Sequence, residues 1–425
     1  MNKNNNKYNA YISILEEELI PAMGCTEPIA LAYAGAKARE VLNAMPTRVE
    51  VWASGSIIKN VKGVIVPNTN HLKGIPTAVA AGIVAGDANK ELEVLAGIDK
   101  SRVGDISIYL KSTPIEVKYL DSGAVFDIEV YVYNNDDYVK VKISDYHTNI
   151  VLIEKNHEVL FSKKAVVKEE VKRTDRNLLD VENIYDFVNS VDIQDIYNVI
   201  HRQIEYNMAI ANEGLKNDYG ANIGKVLLKS YGDDVKTRAK AYAAAGSDAR
   251  MNGCELPVVI NSGSGNQGMT CSIPVVIYAK ELNVSEECLY RAVTLSNLIA
   301  IHEKTGIGTL SAYCGAVSAA TGAGAGICYL HGGSYKQIVN TVSNALVISS
   351  GMVCDGAKAS CAAKIASSLD SAILGFSMAM NDQVFMSGDG IVDSDIEATI
   401  NNISRLGHDG MKETNKEIIK MMVNC

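Results

Sequence analysis

The sequence is poor in large aromatic residues and has no long uninterrupted apolar run. It contains one Trp and five Phe among 425 residues, against 34 Gly. No window reaches about 18 consecutive apolar residues, so no membrane-spanning helix is predicted. The first residues, MNKNNNKYN, lack the apolar core of a secretory signal and are interpreted as a polar tail. We therefore expect a cytoplasmic protein with no membrane partner.

An excess of basic residues is also missing. The net charge of -9 argues against a nucleic-acid partner, because no basic face is implied. A hydrophobic content of 47% and a charged content of 21% are typical of a soluble globular protein. Nine cysteines without an export signal are better interpreted as core residues, metal ligands or nucleophiles than as a disulfide framework.

The N-terminal part mixes two hydrophobic periods. Helical spacing occurs at 8–20, from Thr26 onward, and at 74–86, and RVEVWAS at 48–54 reads as a strand. Between 105 and 162 the period becomes two, in DISIYL, PIEVKYL, VFDIEVYVYN, YVKVKIS and NIVLIEKN. This alternation predicts an antiparallel meander with one solvated face.

The charged run at 162–176 predicts a domain boundary, and the chain after it is almost wholly helical. Helical periodicity extends over 181–191, 192–214, 217–230, 234–251, 285–303, 309–330, 335–350, 358–380, 393–405 and 411–423. The predicted fold class is α+β. An α/antiparallel-β domain would cover 1–165, and a mostly all-α domain would cover 175–425.

Three cysteines in the helical part form a candidate metal-binding set. Cys314 precedes a segment rich in small residues, and Cys354 and Cys361 are seven residues apart. None belongs to a C-x2-C pair, which disfavours a zinc finger. Three thiolates could instead hold a [4Fe–4S] cluster with one iron open to substrate. Burial of all three in the core, without a metal, is the other interpretation of this spacing.

The stretch NSGSGNQGMT at 261–270 is a candidate anion-binding loop. Its glycines formally satisfy G-x-G-x-x-G, but a dinucleotide site also needs a parallel βαβ context, which the surrounding helical pattern disfavours. We favour a nest of backbone N–H groups that binds a carboxylate. The candidate substrate-binding residues are Ser262, Gly263, Ser264, Gly265, Asn266 and Gln267.

Two further segments offer acid–base groups. His302 and Lys304 precede Cys314 by a short distance, so both are candidate catalytic residues. Cys25, in PAMGCTEPI, stands just before a predicted helix start, where unpaired N–H groups favour a thiolate.

Several of these stretches together resemble the L-cysteine desulfidase family, of the UPF0597 type, in the iron–sulfur-dependent serine dehydratase superfamily. The resemblance rests on PAMGCTEPIALAYA, SGSGNQG, the Cys314…Cys354…Cys361 spacing and GDGIVDSDIEATINNISRLGHDGM, and it extends over nearly the whole chain. It implies a pyridoxal-independent lyase that converts L-cysteine to hydrogen sulfide, ammonia and pyruvate. Cys314, Cys354 and Cys361 match the cluster ligands, and Cys25 matches a cysteine proposed to act on the substrate.

Alternatives stay open at this point. The same scaffold would suit an iron–sulfur L-serine ammonia-lyase, and a non-catalytic metal sensor could use the three cysteines structurally. An NAD-binding oxidoreductase is the third possibility. The Ala- and Gly-rich helices are compatible with a homodimer. The last residue, Cys425, could reach the open iron in the resting enzyme or could be an exposed thiol.

Overall fold

The computed structural model describes residues 1, 3, 5–23, 26–96, 98–145, 147–163, 173–308 and 311–423. The α-helices, in chain order, are α1 (Asn6–Glu18), α2 (Thr26–Leu42), α3 (Gly55–Val61), α4 (Gly74–Ala85), α5 (Val103–Ser112), α6 (Val181–Ser190), α7 (Ile193–Lys216), α8 (Ile223–Tyr231), α9 (Val235–Met251), α10 (Gly265–Leu282), α11 (Glu286–Ile307), α12 (Gly315–Leu330), α13 (Tyr335–Ser349), α14 (Ser360–Met380), α15 (Ile396–Arg405) and α16 (Lys412–Val423). The strands are β1 (Pro21–Met23), β2 (Arg48–Ala53), β3 (Ile115–Tyr119), β4 (Asp127–Asn134), β5 (Asp137–Ser144), β6 (Ile150–Lys155), β7 (Glu158–Ser162) and β8 (Pro257–Val259).

The chain divides into two compact units. The helical unit comprises residues 1–24, 172–354 and 359–412, and the sheet unit comprises 25–171, 355–358 and 413–425. The predicted α+β class is confirmed, with a sheet in the N-terminal half and helices in the C-terminal half. No helix within the described ranges is long and apolar enough to cross a membrane.

The sheet unit is built on six strands in the order β3-β2-β4-β5-β6-β7. Their period-two pattern buries one face, where Val51 of β2, Val130 of β4 and Val141 of β5 are fully covered. Helices α2 and α4 pack closely within this unit. A Cβ at Gly82 would lie 1.9 Å from the carbonyl oxygen of Ala32, so only glycine fits at this contact. The opposite face carries ion pairs such as Lys140–Glu129 at 2.9 Å, with both side chains only partly exposed.

Two predictions for this unit are wrong. DISIYL forms helix α5, because its buried residues Ile106 and Tyr109 lie three apart on one helical face while Ile108 is 66% exposed. The sheet is not purely antiparallel, since β2 pairs in parallel with β3, with Val51 opposite Val117. The connection between these two strands contains α3, α4 and α5, and a long crossover of this kind is what parallel pairing requires.

The helical unit is organised around α12, which contacts α10, α11, α13 and α14. The small residues of α12 allow this close packing: a Cβ at Gly322 would lie 2.2 Å from the carbonyl oxygen of Ser296 in α11. The short strands β1 and β8 pair antiparallel, with Ala22 opposite Val258. Strand β8 leads into the loop that begins α10, a helix that the periodicity did not predict.

Candidate active site

A backbone bridge holds Cys314 and Cys354 side by side. The N–H of Cys314 donates to the carbonyl of Met352 at 2.9 Å, and the N–H of Cys354 donates to the carbonyl of Ala312 at 2.6 Å. Tyr313 and Val353 form the antiparallel bridge between these two bonds. Two segments that are 40 residues apart in sequence are therefore fixed in register within the helical unit.

Cys361 completes the set from a third segment. It is the second residue of α14, and Cys314 is the N-cap of α12, so both sulfurs lie at helix N-termini, where the dipole favours negative charge. The neighbouring Cys354 thiol, burial, and the charges of Cys354 and Cys361 raise the pKa of the Cys314 thiol well above its ordinary value. The nearby N–H of Ala316 opposes this shift only in part.

The three thiols do not converge as the ligands of a single metal ion would. Within the described ranges, no three His, Cys, Asp or Glu side chains are close enough together to hold one metal ion. In a [4Fe–4S] cluster each thiolate binds a different iron, so the sulfurs do not converge on one point. Seven cysteines of the described residues form no disulfide: Cys254, Cys271, Cys288, Cys314, Cys328, Cys354 and Cys361.

The loop at 261–264 is a tight turn that starts α10. Asn261 and Ser264 exchange backbone hydrogen bonds of 3.0 and 3.1 Å, and Ser262 (φ 48°) and Gly263 (φ 77°) occupy the left-handed region between them. Ser264 caps α10 by accepting from the N–H of Gln267. A Cβ at Gly268 would lie 2.0 Å from the carbonyl oxygen of Val259. Only glycine therefore allows the first turn of α10 to pack this closely against β8.

The loop adjoins the segment that carries Cys314. A Cβ at Gly315, the residue after Cys314, would lie 2.5 Å from Cδ of Gln267, so the carboxamide of Gln267 lies against Gly315. The strand–loop–helix context of a dinucleotide site is present locally, but β8 pairs only with β1 among the described residues, and antiparallel to it. The parallel βαβ unit that a Rossmann site needs is therefore absent from the described part of the helical unit.

His302 and Lys304 have structural partners. The Nε2 of His302 lies 2.7 Å from Oε2 of Glu397, whose other oxygen accepts from the N–H of Val181. The Nζ of Lys304 donates to the carbonyl of Gly308 at 2.6 Å, which closes the end of α11. A catalytic role for either residue stays a prediction. Cys25 and Cys425 lie outside the described residues, so their predicted roles are not placed by the structure.

Two polar residues of this region escaped sequence reasoning. Glu303 is 1% exposed, and neither of its carboxylate oxygens has a hydrogen-bond partner among the described residues. Its spacing from Ile299 and Ile307, four residues on each side, predicts the buried face of α11. Arg250, near the end of α9, places its guanidinium against Gly265, and nothing in the local sequence singles it out.

The family model described as serine dehydratase alpha chain matches residues 117–420. The chain therefore belongs to the serine dehydratase alpha chain family, as the resemblance indicated.

Within that family the similar proteins are of the UPF0597 type. A UPF0597 protein of Desulfitobacterium hafniense (strain Y51) is 57% identical over 424 residues, covering 100% of this chain and 99% of the relative. A UPF0597 protein of Lachnoclostridium phytofermentans is 51% identical, covering 98% of this chain and 100% of the relative. A third, of Treponema denticola, is 46% identical, with 100% of both chains covered.

Proposed function

We propose that this protein is an iron–sulfur lyase that converts L-cysteine and water to pyruvate, ammonia and hydrogen sulfide. The observation that carries the proposal is the backbone bridge that brings Cys314 and Cys354 together. Cys361 is near enough for its charge to raise the pKa of the Cys314 thiol. Membership of the serine dehydratase alpha chain family supports a lyase reaction on a small amino acid. The substrate assignment to L-cysteine rests on the resemblance described above.

Cys314, Cys354 and Cys361 would hold the [4Fe–4S] cluster, which supplies, when bound, an iron without a protein ligand that acts as a Lewis acid. The loop 262–267 and the N-terminus of α10 would bind the substrate carboxylate through backbone N–H groups. A base would remove the α-proton, and the β-sulfur would leave as sulfide. The enamine that remains would hydrolyse to pyruvate and ammonia, which balances the reaction with one water.

Cys25 is the proposed base. It immediately precedes Thr26, the first residue of α2, and a helix N-terminus favours a thiolate. We expect Cys25→Ser to keep the iron and sulfide content of the wild type and to lower turnover by about 10²-fold or more. Cys288→Ser, which changes a half-buried cysteine of α11, is the matched control and should keep its activity. Full turnover in a cluster-loaded Cys25→Ser protein would exclude Cys25 as the base.

The test of the function is an anaerobic assay of the reconstituted protein with L-cysteine and L-serine side by side. Iron and acid-labile sulfide are quantified in the same sample, so that lack of turnover is not confused with lack of cluster. We expect sulfide and pyruvate in equal amounts from L-cysteine and much slower release of pyruvate from L-serine. A loaded protein that turns over neither amino acid would contradict the proposal.

The second candidate is an L-serine ammonia-lyase that forms pyruvate and ammonia. The description of the matching family model as serine dehydratase favours it. The two candidates share the cluster, the carboxylate site and the base, and they differ only in the atom that leaves the β-carbon. Turnover of L-serine equal to or faster than that of L-cysteine would decide for this candidate.

A further inference from the structure

Two buried polar atoms near the start of α10 lack hydrogen-bond partners among the residues that the structure describes: Oε1 of Gln267 and Nε of Arg250. Nearly all buried polar atoms in proteins are paired, and leaving one unpaired costs about 1–3 kcal/mol. One of these atoms is an acceptor and the other is a donor. Both side chains lie near the predicted substrate loop. Arg250 lies against Gly265, the first residue of α10, and Gln267 lies against Gly315, the first residue of α12.

Gln267 is turned away from its own helix for a structural reason. In α13 the same Ser-x-x-Gln spacing gives a capping box, in which the Gln337 side chain accepts from the N–H of Ser334. In α10 the N–H of Ser264 already donates to the carbonyl of Asn261, so it is not available to Gln267. The carboxamide of Gln267, whose residue is 6% exposed, therefore lies beside Gly315, next to Cys314.

Arg250 brings a positive charge to the same loop without an anion to pair with it. Its guanidinium lies against Gly265, where a Cβ would be 2.5 Å from Nε. Its Nη1 donates to Oδ1 of Asn266 at the long distance of 3.5 Å. Within the described residues, no carboxylate is within ion-pair distance of Arg250. A guanidinium in this state is a ready partner for a carboxylate, which it binds with parallel N–H groups.

We infer that Arg250 binds the α-carboxylate of the substrate and that Oε1 of Gln267 accepts a hydrogen bond from its α-ammonium group. The inference rests on the proposed function and adds the two side chains that make the site specific for a zwitterionic α-amino acid. Arg250 supplies donors only, and the carboxamide oxygen supplies an acceptor, so the pair matches the two charged groups of an amino acid. A 2-hydroxy acid would leave Gln267 without a cationic partner, and an amino-acid amide would leave Arg250 without an anion.

The experiment measures binding rather than turnover. L-Alanine has no leaving group, L-lactate replaces its ammonium by a hydroxyl, and L-alaninamide replaces its carboxylate by an amide. Dissociation constants of the three ligands are measured by anaerobic calorimetry on cluster-loaded wild type, Arg250→Gln and Gln267→Leu. Arg238→Gln in the same helix α9 and Gln337→Leu in the capping box of α13 are matched controls.

We expect Arg250→Gln to weaken the binding of L-alanine and L-lactate by about 10–100-fold. The dissociation constant of L-alaninamide should change by less than about threefold. Gln267→Leu should weaken the binding of L-alanine and L-alaninamide and leave the binding of L-lactate unchanged. Arg250→Lys, which keeps the charge, should recover part of the affinity for L-alanine if Arg250→Gln folds poorly. The controls should bind all three ligands as the wild type does.

The outcomes separate the inference from the proposed function. If the wild type binds L-alanine and turns over an amino acid, but both variants keep wild-type affinity for all three ligands, the inference alone is overturned. An equal loss of affinity for all three ligands in both variants would also overturn the inference. That pattern would indicate damage to the loop rather than recognition of separate groups of the ligand. If the loaded wild type neither binds nor turns over any amino acid, the proposed function itself fails.

Discussion

Cys314→Ser is expected to lose most of the bound iron and sulfide and to lower lyase activity by about 10²-fold or more. Serine keeps the shape of the side chain but replaces a soft sulfur ligand by a hydroxyl that iron–sulfur clusters rarely use. The backbone bridge between Tyr313 and Val353 does not depend on the side chain at 314, so the variant should still fold. Iron, acid-labile sulfide and visible absorption are measured per chain under anaerobic conditions.

The matched control is Cys328→Ser in the same helix α12. Cys328 is also buried, and burial raises the pKa of its thiol, but it lies near the C-terminal end of the helix. We expect Cys328→Ser to keep its iron, sulfide and turnover, with a small loss of stability. Equal iron content and activity in Cys314→Ser and wild type would show that Cys314 is not a ligand, and the cluster assignment would then fall with it.

The spacing of the three candidate ligand cysteines could be predicted from the sequence, whereas the contact that brings two of them together could not. The small residues after Cys314 predicted a close-packed helix, and α12 forms from Gly315 onward. The bridge that joins 312–314 to 352–354 is a long-range pairing of single residues, and no local periodicity reports such a contact. The sequence could therefore indicate the candidate cysteines but not the backbone bridge that joins the segments of Cys314 and Cys354.

Helix α10 shows where local reasoning failed. Its residues are apolar enough for a buried helix, but Pro274 stands in its middle, and proline normally ends or kinks a helix. Tertiary packing within the helical unit overrides this preference, since α10 contacts α7, α9 and α12. The same limit applies to Arg250, because its contact with Gly265 arises from the approach of α9 to the start of α10 and no local pattern indicates it.

In the segment IHEK, helical phase is more informative than side-chain chemistry. Successive residues of an α-helix point about 100° apart, so His302, Glu303 and Lys304 cannot all face the same way. The structure directs Glu303 into the interior, whereas His302 contacts Glu397 and Lys304 contacts Gly308. The residue with the most unusual environment was thus the one between the two predicted catalytic residues.

Glu303→Met is expected to stabilise the protein by about 1–3 kcal/mol at neutral pH. The wild-type carboxyl is 1% exposed, and neither oxygen is hydrogen-bonded to a residue in the described ranges. Burial raises its pKa well above the ordinary value. The hydroxyl of Ser318 opposes this shift, but it makes no hydrogen bond of normal geometry with a described residue. Methionine has a similar length, is a good helix former and brings no polar atom into the core.

The pH dependence of this effect follows from the direction of the pKa shift. Between the ordinary carboxyl pKa of 4.5 and the raised folded value, the folded chain holds a proton that the unfolded chain has released. The wild type therefore loses stability as the pH rises through this window, at up to about 1.4 kcal/mol per pH unit, and the methionine variant does not. The gain from Glu303→Met should be smallest near pH 4 and should grow toward neutral pH.

The control is Glu287→Met in the same helix, where the carboxylate is exposed and pairs with Arg291. It shows how much of the effect comes from burial and how much from replacing Glu by Met. Surface ion pairs contribute little, so this control should stay within about 0.5 kcal/mol of the wild type at every pH. Denaturant unfolding of the two variants and the wild type from pH 4 to 8 measures both effects. A Glu303→Met protein less stable than the wild type at neutral pH would mean that the carboxyl has a partner in the working protein.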